Sequence, residues 1–100
     1  MASKTKQAKT TDTTGSTYAT RFVCGAGPQD QQAFLAGDFN AWNPSAIPMR
    51  RRNRVFETMV ELPPGEHQYK FVIDGQWRTD PAAERQVPNG AGSENSIVRV

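Results

Sequence analysis

The sequence predicts an all-β protein, an antiparallel sandwich of short strands, and three observations carry that prediction. Apolar and polar residues alternate over short stretches: Phe56, Thr58, Val60 and Leu62 interleave with Glu57, Met59 and Glu61, the pattern of a strand with one face buried. Turn-forming clusters interrupt those stretches at Gly25-Ala26-Gly27-Pro28, Pro63-Pro64-Gly65 and Asp74-Gly75, where glycine and proline supply the backbone angles that reverse a chain. No stretch repeats its apolar residues at helical spacing over a convincing length.

The elements follow in order. Residues 1–16, MASKTKQAKTTDTTGS, hold almost nothing apolar beyond alanine and the initial methionine. Such a segment has too little surface to bury against the entropy of ordering, so it is expected to be a disordered tail, with the domain at 17–100. No apolar run follows its lysines, so neither a signal peptide nor a membrane span is expected. Strands are predicted at 19–24 and 31–37. A long connection then contains Pro44 and Pro48, and the cluster Arg50, Arg51, Arg52 and Arg54 is read as a solvated loop. Further strands are predicted at 54–62, 67–73, 76–79 and 95–100. The last, NSIVRV, is apolar at both parities, and its core face is left unassigned. Short strands at this spacing suit a two-sheet sandwich of immunoglobulin type.

Charge narrows the function. The tail sets Lys4, Lys6 and Lys9 against Asp12, which equals the net charge of +2 on the whole chain, so residues 17–100 balance nine basic with nine acidic side chains. Nucleic-acid binders carry a clear basic excess on the domain itself, so no nucleic-acid partner is expected, and no membrane partner either. Cys24 is the single cysteine and His67 the single histidine. No internal disulfide can form, a reducing, cytoplasmic location fits, and a His/Cys metal site has too few ligands. No cofactor is expected. Hydrolysis calls for a pair of carboxylates across a cleft or for an activated nucleophile. Asp74 belongs to a turn, Asp80 precedes Pro81, and Asp38 lies in the loop before Trp42, so the chain is read as non-catalytic.

The residues that point to a function lie in HQYKFVIDGQWRTDP, residues 67–81. Asp74-Gly75 is a strong two-residue hairpin signal. It pairs Ile73 with Gln76, Val72 with Trp77, Phe71 with Arg78 and Lys70 with Thr79. Alternation then places Tyr69, Phe71 and Ile73 toward the core, and Lys70, Val72 and Trp77 on the outer face, with Trp77 diagonal to Lys70. A second tryptophan, Trp42, sits in the turn-rich GDFNAWNP, residues 37–44. Pyranose rings offer a flat C–H face to an indole and hydroxyls at the ring edge to polar side chains, so two indoles, an ammonium and amides suit a sugar. Taken alone, Trp77 has packing against a neighbouring loop or a subunit as its less favoured alternative, and Lys70 would be an ordinary exposed lysine.

GDFNAW, LPPGEHQYKFVIDGQWRTDP and the closing NSIVRV resemble carbohydrate-binding module family 48, above all the glycogen-binding domain of the AMP-activated protein kinase β subunit. The resemblance runs from about Thr17 to Val100. It implies an early-set immunoglobulin-like sandwich that binds α-1,4-glucans such as glycogen and starch-like oligosaccharides. Trp42 and Trp77 would stack on glucose rings, while Lys70 and Asn95 would hydrogen-bond hydroxyls. Ser93 stands where that family has a threonine and keeps the hydroxyl as a further contact. For Asn95, closing the turn into the last strand is an equal reading. Ala91 replaces the family's protruding leucine, which weakens the expected grip or shifts preference. The expected role is a free-standing α-glucan-targeting module with a protein partner in glycogen metabolism. The alternative is an immunoglobulin-like protein-interaction module that has lost sugar binding; single-stranded nucleic-acid binding through the aromatics and arginines is the weakest reading.

Overall fold

Strands form where the side chains alternate, and their pairing folds the sheet back on itself. The computed structural model describes residues 16–90 and 92–100; the expected tail, apart from Ser16, and Ala91 lie outside them. Eight strands occur among the described residues: β1 (Tyr18–Gly25), β2 (Ala33–Gly37), β3 (Ile47–Arg52), β4 (Val55–Leu62), β5 (Glu66–Ile73), β6 (Gln76–Arg78), β7 (Arg85–Pro88) and β8 (Glu94–Arg99). A 3-10 turn, Asp38–Asn40, follows β2.

Every pairing is antiparallel, in the order β1-β4-β3-β2-β5-β8-β7, with β6 also paired to β5. β3 belongs to both halves. Its residues Ile47, Pro48 and Met49 pair with β2, and Arg50, Arg51 and Arg52 pair with β4. A strand that changes sheets makes the corner of such a sandwich. The core between the two faces contains Phe22, Cys24, Leu35, Met49, Phe56, Leu62, Tyr69, Phe71 and Ile73. Edge-to-face packing of Phe22 on β1 against Tyr69 on β5, centroids 4.9 Å apart, ties the sheets together, and Tyr69 packs likewise on Phe71 of its own strand at 5.7 Å, the arrangement favoured by the ring quadrupole. The architecture is an immunoglobulin-like antiparallel β-sandwich, as the strand pattern predicts.

The six predicted strands are present, each with bounds shifted by up to two residues. The arginine run corrects the loop expectation. Arg50, Arg51 and Arg52 lie in β3, a strand hidden in the sequence by Pro48 and by side chains that point to solvent. Arg51 is a structural group. Its guanidinium donates to the carbonyls of Gly27 and Asp30 at 3.1 and 2.7 Å and covers the Phe56 ring at 5.6 Å. Arg21 and Arg52 donate to Glu57 at 2.6 and 3.2 Å, and the Arg21 hydrogen bond leads in holding that carboxyl below its usual range. β7 is a second unpredicted strand, four residues ending in proline at the rim of the sheet, where a missing N–H is tolerated. β8 resolves its ambiguous parity: Val98 and Val100 pack on the core, while Asn95 and Ile97 are buried on the opposite face.

A buried polar strut joins β5 to the segment before β7. The Tyr69 hydroxyl donates to Asp80 Oδ2 at 2.6 Å, the Asp80 N–H donates to Ser96 Oγ at 2.8 Å, and Asp80 Oδ1 accepts from the Ala82 N–H at 2.9 Å. Burial leads in raising the Tyr69 pKa, with the Asp80 hydrogen bond second. His67 is half-buried at the start of β5, with Nε2 2.8 Å from the Pro63 carbonyl oxygen. No helix among the described residues is long and apolar enough to cross a membrane.

Candidate functional site

Two loops and one hairpin bring the predicted residues together on the outer face of the larger sheet. The β5–β6 hairpin forms as the Asp-Gly signal requires, with Val72 opposite Trp77, Phe71 opposite Arg78 and Ile73 opposite Gln76. β6 ends at Arg78, so the expected Lys70–Thr79 pair is not part of the ladder. Asp74 adopts positive φ (50°) beside Gly75 (84°). Its carboxylate does more than turn the chain: it accepts from the N–H groups of Gln31 and Gln32, at 3.1 and 2.9 Å at the closest, and so binds the hairpin tip to the segment entering β2. Trp77 is 45% exposed, although it stands across from buried Val72.

Trp42 is carried by a loop that Asn40 knots. The Asn40 carbonyl oxygen Oδ1 accepts from the Gly37 N–H at 3.0 Å, and its Nδ2 donates to the Leu35 carbonyl at 3.2 Å. The Trp42 N–H donates back to the Gly37 carbonyl at 2.9 Å. Ala41 and Trp42 both take left-handed angles, with φ of 57° and 58°. This conformation is costly for a residue with a bulky side chain and is held here by the Asn40 bonds. The residue is half-buried. Gly37 is required for a spatial reason: a Cβ there would stand 2.5 Å from the Gln68 carbonyl oxygen and 2.5 Å from the Phe39 ring.

Trp42, Lys70, Trp77, Asn89, Ser93 and Asn95 line one open groove of about 550 Å³. All five residues singled out in the sequence are therefore brought together. Lys70 differs from the exposed lysine expected of it in isolation. It is only 7% exposed, and its ammonium donates to Ser93 Oγ. A lysine ammonium has three donors, which leaves donors for an oxygen in the groove. Asn95 is 8% exposed. Its Nδ2 donates to Gln68 Oε1 at 2.9 Å, and its Oδ1 accepts from Asn89 Nδ2 at 3.4 Å. It therefore braces the loop into β8, the turn-closing reading, and also lines the groove.

Asn89 is the lining residue that the sequence reading missed. Its position in Pro88-Asn89-Gly90 reads only as a turn, but its N–H donates to the Ser93 carbonyl at 3.1 Å and its Oδ1 accepts from the Ser93 N–H at 3.3 Å. Those two bonds close the loop between β7 and β8, which contains Gly90 and Gly92 at positive φ, and they set the place of Ser93. The effect of Ala91 in place of leucine concerns a residue outside the described set. Chemically, the groove offers two indole faces, one ammonium, one hydroxyl and two carboxamides, with Lys70 the one formally charged member of the six.

The chain matches known proteins in the same terms. A family model described as the glycogen recognition site of AMP-activated protein kinase matches residues 27–100. Subunit beta-1 of 5'-AMP-activated protein kinase from Homo sapiens is 43% identical over 70 residues, covering 70% of this chain and 25% of that protein. The same subunit from Sus scrofa is 43% identical over 70 residues, covering 70% of this chain and 55% of that protein. The chain thus spans about a quarter to a half of the length of these relatives. Among solved structures, maltogenic amylase from S. marinus superposes with a TM-score of 0.71 at 21% identity, covering 84% of this chain and 14% of the amylase; that likeness concerns the fold alone. By this match over most of its length, the chain belongs to the family of the glycogen recognition site of AMP-activated protein kinase.

Proposed function

We propose that the groove binds α-1,4-glucans, glycogen or starch-like oligosaccharides, by stacking glucose rings on Trp42 and Trp77, while Lys70, Asn95 and Ser93 hydrogen-bond the hydroxyls. The observation that carries this reading is the convergence of two indoles, one from the β2–β3 loop and one from strand β6, around a nearly buried lysine and two asparagines. A neutral ligand with apolar faces and a hydroxylated edge satisfies both halves of that lining. Hydrogen bonds made in an open groove compete with water, so affinity is modest and most of it comes from the rings.

The module is a targeting element and performs no catalysis. In support, its turn and loop carboxylates are already committed: Asp38 accepts from the Gln68 N–H at 3.0 Å, Asp74 from Gln31 and Gln32, and Asp80 from Tyr69. Its partners are an α-glucan and a protein of glycogen metabolism that the module brings to the polymer; the naming of the relatives as kinase subunits supports the second. The single, buried thiol of Cys24 suits the cytoplasm.

The test is a titration with maltoheptaose and β-cyclodextrin followed by tryptophan fluorescence, with cellohexaose as the control and a repeat at high salt. A saturable change with the α-glucans alone, insensitive to salt, is expected. Steep salt dependence would instead indicate a phosphate-bearing ligand, and a folded protein that responds to neither α-glucan would overturn the reading.

A further inference from the structure

The polar side of the groove is an amide chain with a defined direction, and its far end lies outside the groove. Gln68 stands on the outer face of β5, directly opposite Ile97 of β8 and therefore diagonal to Asn95, within reach of a long side chain. Four hydrogen bonds link it to the site lysine. Asn95 Nδ2 donates to Gln68 Oε1, Asn89 Nδ2 donates to Asn95 Oδ1, the Ser93 N–H donates to Asn89 Oδ1, and the Lys70 ammonium donates to Ser93 Oγ.

A carboxamide accepts at one end and donates at the other, so turning it over exchanges the two roles. Here the sense of each amide follows from its neighbour. The Ser93 backbone N–H can only donate, so Asn89 must face it with Oδ1 and face Asn95 with Nδ2. Asn95 must then present Oδ1 to Asn89 and Nδ2 to position 68. The chain closes only if position 68 supplies an acceptor. We propose that Gln68 is the positioning residue that holds the Asn95 amide in this one sense, and with it the order of donor and acceptor offered to neighbouring hydroxyls of the bound sugar. This rests on the glucan reading of the groove. Without an acceptor at 68 the buried Asn95 Nδ2 loses its partner, and the Asn89 contact, at 3.4 Å the longest of the four bonds, is left alone to hold the amide against turning.

Two variants separate this role from simple packing. Gln68→Met keeps length and removes the acceptor; Gln68→Glu keeps an acceptor in either orientation and admits only the proposed sense of Asn95. In calorimetric titration with maltoheptaose, Gln68→Met is expected to bind about fivefold more weakly, the scale of one lost neutral hydrogen bond, and Gln68→Glu to stay within about twofold of wild type on the same scale. The Asn95 side-chain amide resonance, read by NMR in the free protein, should move in the Met variant and stay hydrogen-bonded in the Glu variant. Wild-type affinity in a folded Gln68→Met protein overturns the proposal, as does a folded Gln68→Glu protein weakened as much as the Met variant. Wild-type protein that does not bind maltoheptaose overturns the glucan reading and this role with it, an outcome distinct from either.

Discussion

Replacing Trp77 with alanine should remove most glucan affinity while leaving the sandwich folded. The size of the effect follows from exposure. A tryptophan presents up to about 250 Å², and Trp77 is 45% exposed, so on the order of 110 Å² of it faces solvent. A glucose ring stacked on one indole face would cover roughly half of that and hide a similar area of its own, about 110 Å² in all, worth about 2–3 kcal/mol at about 25 cal/mol per Å². Affinity should fall by about 30- to 150-fold on that scale. Stability should change little, because the ring sits on the outer face of a three-residue strand and loses mainly its cross-strand pairing with Val72, roughly 0.2–1 kcal/mol. Calorimetric titration with β-cyclodextrin and maltoheptaose is the suitable assay, since the substitution removes one of the two fluorescent reporters. Thermal unfolding of the same samples should show a midpoint lowered by less than about 8 °C. A folded variant that binds within about twofold of wild type would refute the stacking argument, and binding lost together with the cooperative transition would refute the claim that Trp77 stands outside the core.

Three further outcomes are expected. Tyr69→Phe removes the hydroxyl that donates to buried Asp80 and should cost about 1.5–3 kcal/mol in urea unfolding, the range for a hydrogen bond to a charged group; an unchanged midpoint would show that water replaces the hydroxyl. Gly37→Ala puts a Cβ against the Gln68 carbonyl oxygen and the Phe39 ring; the backbone must move, lowering stability by about 1–3 kcal/mol and weakening glucan binding through the displaced Trp42 loop, and wild-type values in both measurements would contradict the close approach. Burial pushes the Cys24 thiol from 9.0 up to about 11. A group with a raised folded pKa stabilises the protein fully below its unfolded pKa and loses that contribution as pH rises toward the folded value. Stability should therefore decline between about pH 9 and 11, and Cys24→Ala should flatten that decline when unfolding is followed across the range.

The site was legible wherever local chemistry governs. Asp74-Gly75 and the alternation around it place Trp77 opposite Val72 and on the outer face, because turn type sets register and a period of two sets faces. Trp42 was legible as a loop residue from its asparagines, although its left-handed backbone and half-burial were not. β3 escaped because strand character there comes from neighbours on both sides rather than from alternation: Pro48 and three arginines satisfy no strand pattern, yet β2 takes one half and β4 the other. β7 escaped because four residues ending in proline form a strand only against β8.

What the sequence by itself determined was the all-β class, the faces of β4 and β5, the hairpin register and five of the six side chains that line the groove. All but Ser93 and Asn95, which the family resemblance supplied, follow from interactions among residues a few positions apart. Tertiary structure alone decided that Lys70 is buried against Ser93, 23 residues away, that Asn95 donates to Gln68, 27 residues away, and that Asn89 joins the lining. Such pairs meet only once β8 lies beside β5, and that choice of neighbour minimises the free energy of the whole sheet, which no local stretch of sequence encodes.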